Sequence, residues 1–528
     1  MQNRVLNEMV LEPVIEDEVL DVIKALKDGS CGWDTVSAKV VKHTYTSFKK
    51  PLCHIINMSF NSGIFPSELK VARVIPLFKS GDAACFSNYR PVSVLPVLSK
   101  IFERLLYSRL LTFINENNVL YAFQFGFRAL HSPNLALLLL VDKISKALEE
   151  GDYVLGLFLD FSKAFDTVNH DILFRKLEFY GIRGTPLKLF TSYLCGRSQY
   201  VEYNGMTSTK EKIICGVPQG SILGPLLFLI YINDLAFASS KIFSLLFADD
   251  SNLFLSGKNP NELINMMNTE ITHVVKWLQI NKLSINLKKT QFMIFRKRRT
   301  KTNITEELDI NDVKINQVQK TKFLGVVIDE CLTFQNHVLY TKGKISRGLG
   351  ILYKGKKYFD KKTLLTLYNA FIYPYFTYCI EVWGNTHQTY LDTLNKLQKR
   401  AIRIISFSKY LAHTEDLFKD LKLLNLKNIY IYASQLFMYK YHHGTVPHVF
   451  SSFFTRNSDI HTHDTRQQNK LHVSLIKYTF MTRFIRCIGV RLYNYFTDKL
   501  NWDCFYPTYK RNLKNYLINN DVDHVIAV

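Results

Sequence analysis

Two stretches decide the reading of this chain: Val154-Leu155-Gly156-Leu157-Phe158-Leu159-Asp160, and Phe243-Ser244-Leu245-Leu246-Phe247-Ala248-Asp249-Asp250-Ser251-Asn252-Leu253-Phe254-Leu255. The first is an almost wholly apolar run, short enough for a buried strand, and it stops at a carboxylate. The second has two apolar runs flanking Ala248-Asp249-Asp250-Ser251, which is the spacing of a hairpin with turn-forming acids at its tip. An Asp-Asp pair alone reads first as a solvated turn, because aspartate favours turns. Weight must come from what surrounds it.

Working outward, residues 16–28 read as an amphipathic helix with Val19, Leu20, Ile23 and Leu26 on one face, stopped by Gly29. Prolines punctuate short β-branched runs such as Val71 to Ile75, and Leu98 to Ile114 turns helical. After Asp160 the pattern predicts a helix from about Lys163 to Phe179, ended by Gly181. The loop Gly216-Val217-Pro218-Gln219-Gly220 leads into an apolar helix near Pro225 to Leu235, where a proline in the first turn is tolerated. Beyond Leu324-Gly325 the chain reads as mostly helical, with Thr363 to Tyr373 and Leu391 to Ile405 the clearest cases.

With 528 residues, 47% of them hydrophobic, several cores are expected, since single cores seldom grow past roughly 250–300 residues. Lys plus Arg number 67 against 45 Asp plus Glu, a formal charge of +22. Such an excess favours a polyanion, nucleic acid first and an anionic membrane second. The longest apolar stretch, Ile222 to Ile232, is broken by Gly224 and Pro225 and is shorter than the ~20 residues of a spanning helix, so no membrane segment is predicted. An acidic start without a basic, apolar leader points to action inside the cell. The nine cysteines are scattered, supporting neither a zinc knuckle nor a disulfide framework.

Nucleotidyl transfer joins a 3′-hydroxyl to a triphosphate, and two metal ions ~3.5–4 Å apart clamp the attacking and leaving oxygens. Magnesium takes hard oxygen ligands, usually one or two carboxylates with water and phosphates. Asp160, Asp249 and Asp250 are therefore the candidate metal-binding and catalytic set. In Leu391 to Ile405 the apolar Leu391, Leu394, Leu397, Ala401 and Ile404 share one face, and Lys396, Lys399, Arg400 and Arg403 lie opposite, suited to a nucleic-acid backbone. Lys288 to Lys301 is a second basic run with no acid in it, fit for phosphate contact or a nuclear signal.

The ordered set of motifs resembles the reverse transcriptases of non-LTR retrotransposons, of the jockey-like and related long interspersed element types, over roughly residues 25–410. In order they are Gly63-Ile64-Phe65-Pro66, Asn88-Tyr89-Arg90-Pro91-Val92, Gln124-Phe125-Gly126-Phe127-Arg128 and Leu159-Asp160-Phe161-Ser162-Lys163-Ala164-Phe165-Asp166. Then follow Gly216-Val217-Pro218-Gln219-Gly220-Ser221, Phe247-Ala248-Asp249-Asp250, Asn286-Leu287-Lys288-Lys289-Thr290 and Phe323-Leu324-Gly325. The resemblance implies an α+β fold: a right-hand polymerase with fingers, a palm carrying an antiparallel sheet and a helical thumb, plus a mainly helical C-terminal region. Residues 1–60 would be an N-terminal extension, 61–330 fingers and palm, 331–410 thumb, and 411–528 a region without assigned role.

By the same resemblance Asp160, Asp249 and Asp250 hold two Mg2+ ions, with Mn2+ as a substitute. Lys79 and Arg90 would hold the triphosphate, Arg90 through a guanidinium fork matched to phosphate oxygens. Phe161, Gln219 and Gly220 would lie at the incoming nucleotide. Phe165 would sit under its sugar and reject a ribose 2′-hydroxyl. Lys289 would give a proton to departing pyrophosphate. Implied partners are an RNA template, a DNA primer or target and deoxynucleotides, with no membrane, target nicking left to an endonuclease outside this chain, and the nucleus as the place of action. The pattern departs at Cys31-Gly32-Trp33-Asp34-Thr35 and at Pro133, which predicts altered local geometry in the fingers. The alternative function is a catalytically inactive nucleic-acid-binding remnant, against which the retention of all three acids argues. An RNA-dependent RNA polymerase and a group II intron maturase are disfavoured by Ala248 and Phe165 and by the absence of paired Cys/His ligands.

Overall fold

The apolar run before Asp160 forms strand Tyr153–Leu159 in the computed structural model, which describes residues 4–29, 31–300, 303–460, 467–473 and 478–526. The strand is central in a sheet whose order is Asn316–Gln317, Gln291–Phe295, Tyr153–Leu159, Asp250–Gly257, Phe243–Phe247. Both of its neighbours are antiparallel to it, with Leu159 opposite Ser251 on one side and Phe158 opposite Gln291 on the other.

Side chains alternate across a strand, so this apolar run must fill two cores. Val154 and Phe158 join one core with Phe254, Met293 and Phe295, under helix Pro133–Glu149. Leu155, Leu157 and Leu159 join the other with Leu253, Leu255, Phe292 and Ile294, against helix Pro260–Ile280. The result is a mixed α+β architecture organised around one strand.

The second core also takes in Val19 and Ile23 of helix Glu16–Ala25 and Val41 and Ile56 of helix Ala38–Ser62. The first core continues through helices Gln335–Gly355, Lys361–Phe371, Gln388–Ile405, Leu426–His442, Ile485–Thr497 and Tyr506–Asn519. Residues on either side of position 410 thus share a single hydrophobic interior. A smaller sheet holds strand Val71–Phe78 between the antiparallel Tyr89–Val94 and the parallel Ser198–Tyr203. No helix among the described residues is long and apolar enough to cross a membrane.

Two predicted helices differ from what forms. The helix expected from Lys163 begins only at His170, because the backbone before it is used elsewhere. The Phe165 carbonyl accepts from Val217 N–H at 2.9 Å and the Val168 carbonyl from Gly216 N–H at 2.7 Å, and Lys163 has φ +52°. Asn169 then caps the helix, accepting from Ile172 N–H. The first helix ends at Ala25 rather than at Gly29, since Leu26 turns to ψ 133° and gives its carbonyl to the Lys42 ammonium. Pro133 sits in the first turn of helix Pro133–Glu149, where its missing N–H costs nothing, and Ser132 caps that helix.

The C-terminal helices are tied to the sheet's own layer by Arg486, whose Nε and Nη2 reach Asp142 Oδ1 and Oδ2 at 2.6 and 2.8 Å. The Asp142 side chain is only 5% exposed, so removing Arg486 leaves a charge in a dry site with only the more distant Lys146 ammonium at 3.7 Å. Arg486→Ala is expected to lower stability by about 3 kcal/mol in denaturant unfolding. The double variant with Asp142→Ala should cost less than the two single changes added together; additive losses would show that the pair is not coupled.

Candidate active site

Asp160 is the first residue past the central strand, and the register that puts Leu159 opposite Ser251 brings it to the level of Asp250. Asp249 and Asp250 stand at the turn joining Phe243–Phe247 to Asp250–Gly257, with Ala248 at φ +54°. The sheet thus delivers the three carboxylates to one end, where Asp249 and Asp250 are exposed and Asp160 is partly so.

Their mutual field is visible in their acidities. Asp250 is pushed up from 3.8 to about 6, first by desolvation and then by the charges of Asp249 and Asp160. Asp249 is raised by desolvation and by Asp160, while the cationic Arg90 and Lys79 pull it back. Those two cations come from the smaller sheet: Arg90 pairs with Leu77, and Lys79 N–H extends the same ladder to the Asn88 carbonyl at 2.8 Å. Lys289 Nζ lies 3.7 Å from Asp160 Oδ2, and both groups are largely exposed, so the pair is weak. The turn carrying Lys289 is fastened by Asn286 N–H donating to the Asp160 carbonyl at 2.7 Å.

Among the described residues no three His, Cys, Asp or Glu side chains close into a ready metal cage. By donor chemistry alone, the three aspartates would suit a hard divalent cation. They offer carboxylate oxygens that repel one another, and magnesium characteristically completes an open set of one or two carboxylates with water and phosphate oxygens.

The loop at residues 216–220 is moored on two sides. Ser93 N–H donates to the Gln219 carbonyl at 2.7 Å, and Gln219 Nε2 donates to Asp166 Oδ1 at 2.8 Å. Gly220 has φ +120°, and a Cβ there would stand 2.5 Å from the Ser93 carbonyl oxygen, so only glycine lets the loop lie against strand Tyr89–Val94. Burial raises the Asp166 carboxyl, opposed by the Gln219 hydrogen bond and by Lys163. Phe165 is half-buried: its ring stacks on Phe228 at 4.2 Å and meets the edge of Phe127 at 6.2 Å. Phe161 differs from expectation, because its ring is only 8% exposed and packs in the core, leaving little side-chain surface for a ligand.

Gln124 carries a role that its motif did not disclose. It is buried, and its Oε1 accepts from Gly126 N–H at 2.8 Å and from Ala248 N–H at 3.0 Å. Phe125 N–H and the Phe123 carbonyl add backbone bonds to Leu246. Gly126 is required here, as a Cβ would fall 2.3 Å from Ala248 N. Gln124 therefore sets the turn that presents Asp249. Only the combination of an interior amide with a distant Ala at positive φ explains it, and such a pairing has no signature in one dimension.

The basic residues of Gln388–Ile405 belong to the helical body, since that helix packs on Gln335–Gly355 and Lys361–Phe371. Lys396, Lys399 and Arg400 are exposed, whereas Arg403 is half-buried and gives Nε to the Ala412 carbonyl at 2.8 Å. Arg403 thus holds the loop after the helix, and the free cationic stripe is narrower than the spacing suggested.

Two outcomes follow. An Asp whose folded-state acidity is weakened stabilises the fold below its unfolded value and withdraws that stability as pH rises to the folded value. Asp250→Asn should therefore raise Tm at neutral pH without divalent ions, with the gain vanishing below 3.8; no gain would refute the repulsion. Gln124→Ala strands two buried amides and should cost about 2 kcal/mol, with faster hydrogen exchange at Ala248.

Residues 79–328 match the family model described as reverse transcriptase (RNA-dependent DNA polymerase). The chain is 29% identical over 434 residues to the probable RNA-directed DNA polymerase from transposon BS of Drosophila melanogaster, covering 78% of this chain and 47% of that protein. It is 28% identical over 432 residues to the RNA-directed DNA polymerase from mobile element jockey of the same fly, covering 79% and 46%. The probable polymerase from transposon X-element of that fly is similar to the same degree, at 28% over 431 residues, covering 79% and 46%. The chain spans about half the length of these relatives, at 46–47% of each. The motif order, the gathered aspartates and the family match agree: residues 79–328 are similar to reverse transcriptase domains, and the relatives named above are polymerases of transposons and mobile elements.

Proposed function

We propose that this chain is an RNA-directed DNA polymerase that extends a primer 3′-hydroxyl with deoxynucleotides on an RNA template. The observation that carries the reading is the meeting of Asp160, Asp249 and Asp250 with the cations Lys79 and Arg90. Three acids lie at one end of the central sheet, and two cations of the smaller sheet act on Asp249, a charge pattern suited to a metal-bound triphosphate.

In this reading the central sheet is the palm, the Val71–Phe78 and Tyr89–Val94 hairpin belongs to the fingers, and the helices from Gln335 onward supply the thumb. Two divalent cations, Mg2+ or Mn2+, supply charge neutralisation and Lewis-acid activation when bound at Asp160, Asp249 and Asp250. Lys79 and Arg90 hold the triphosphate oxygens, and the Arg90 fork fixes their orientation. Gln219, steered by Asp166, positions the base pair being formed, and Gly220 keeps the loop close to it. Phe165, backed by Phe228, is a rigid floor beneath the sugar that leaves no room for a 2′-hydroxyl. Lys289, exposed beside Asp160, delivers a proton to departing pyrophosphate. Lys396, Lys399 and Arg400 track the duplex backbone. Action on chromosomal DNA would place the chain in the nucleus, and the exposed Arg298 and Arg299 suit an import signal.

The purified chain should extend a DNA primer on RNA with deoxynucleotides, and Asp249→Ala should abolish product. Phe165→Ala should raise ribonucleotide use relative to deoxynucleotide by about ten-fold. If the wild type binds primer and template in a salt-dependent way yet adds no nucleotide with either metal, the inactive-remnant reading replaces this one.

A further inference from the structure

A cavity of about 1080 Å³ lies outside the aspartate site, between the start of helix Pro133–Glu149, helix Leu426–His442 and the start of helix Tyr506–Asn519. Its size is just above the roughly 300–1,000 Å³ of ligand pockets. Its wall is aromatic, and part of its polar lining has no partner among the described residues. No hydrogen bond joins the hydroxyls of Tyr373, Tyr432 or Tyr506 to any described residue, although the three rings are close enough to influence one another's acidity. Asn134 Oδ1 is buried and accepts no hydrogen bond.

Glu381 lines the same space. Burial pushes its carboxyl up to about 7, opposed by the Asn134 side chain and by Lys440. Buried polar groups in native proteins are ordinarily satisfied, so the unpaired Asn134 Oδ1, beside three half-buried tyrosines whose hydroxyls have no partner among the described residues, marks a place for a polar, flat ligand. The rim carries the 86%-exposed Phe505 and the 61%-exposed Leu130. Leu130 is three residues beyond Phe127, whose ring touches Phe165, so the mouth is joined to the polymerase site by a short run of chain.

We propose that this cavity binds an unstacked base of single-stranded RNA, with Tyr432 and Tyr506 as stacking and edge-reading groups and Glu381 and Asn134 pairing with the base edge. Aromatic faces with hydrogen-bonding edges are how proteins hold splayed-out RNA bases, and Lys440 and Lys510 at the same cavity suit the attached phosphates. The inference rests on the reading that the chain works on RNA, but it names a site apart from the aspartates.

The test uses the full chain and a single-stranded oligoribonucleotide carrying 4-thiouridine, with cross-linked peptides mapped by mass spectrometry and affinity followed by anisotropy. Cross-links to the segments holding Tyr432 or Tyr506 are expected, together with affinity about ten-fold weaker in the variant carrying Glu381→Gln and Tyr432→Phe. Cross-links confined to other segments, unchanged affinity in that variant, or binding of free nucleosides without the oligoribonucleotide would each overturn the proposal. Primer extension on the same preparations is scored separately. Extension with cross-links elsewhere removes the cavity and keeps the polymerase; cross-links in the cavity without extension do the reverse.

Discussion

Strand Tyr153–Leu159 is hydrogen-bonded along both edges and covered on both faces, and the rest of the molecule is arranged by that double constraint. A strand buried this way has no freedom to slip, because a one-residue shift would exchange the side chains of two different cores. Asp160 inherits that rigidity at the strand's end. The neighbouring hairpin shares the same ladder, so Asp249 and Asp250 are held by the same register. The acids are thus placed by strands held on both edges and both faces, although their own side chains remain partly exposed.

Stiffness is needed because the site works against the fold. Desolvation and mutual repulsion raise both hairpin carboxyls, so the ionised cluster subtracts stability at neutral pH. The surrounding structure answers with backbone rather than charge. Gln124 clamps the Ala248 amide, Asn286 N–H clamps the Asp160 carbonyl, and buried Glu103 accepts the Ile222 and Leu223 amides behind the Gln219 loop. Lys79 and Arg90, from the smaller sheet, partly offset the rise at Asp249.

The C-terminal helices extend this logic. They share the core beneath one face of the central sheet, and the Asp142–Arg486 pair locks them to helix Pro133–Glu149. The same helix begins at the edge of the aromatic cavity and packs on the strand that carries Asp160. The cavity and the aspartate-bearing strand are thus separated by this one helix.

The local sequence by itself determined the strand before Asp160, the hairpin around Asp249 and Asp250, and the amphipathic helix of Leu391 to Ile405. In each, apolar periodicity and turn chemistry act within a few residues and agree with one another. Local rules failed where backbone groups were claimed from afar. Residues 163–169 have a helical composition, but their carbonyls serve the loop at 216–217, so no helix forms before Asn169. Phe161 lies beside Asp160 in the chain and yet turns into the core, and Arg403 turns to the Ala412 carbonyl, because packing and loop closure decide direction. The approach of Lys79 and Arg90 to Asp249, the Gln124 clamp and the cavity around Glu381 exist only in three dimensions. Each depends on groups far apart in sequence whose meeting is set by sheet order and core packing, which no local pattern encodes.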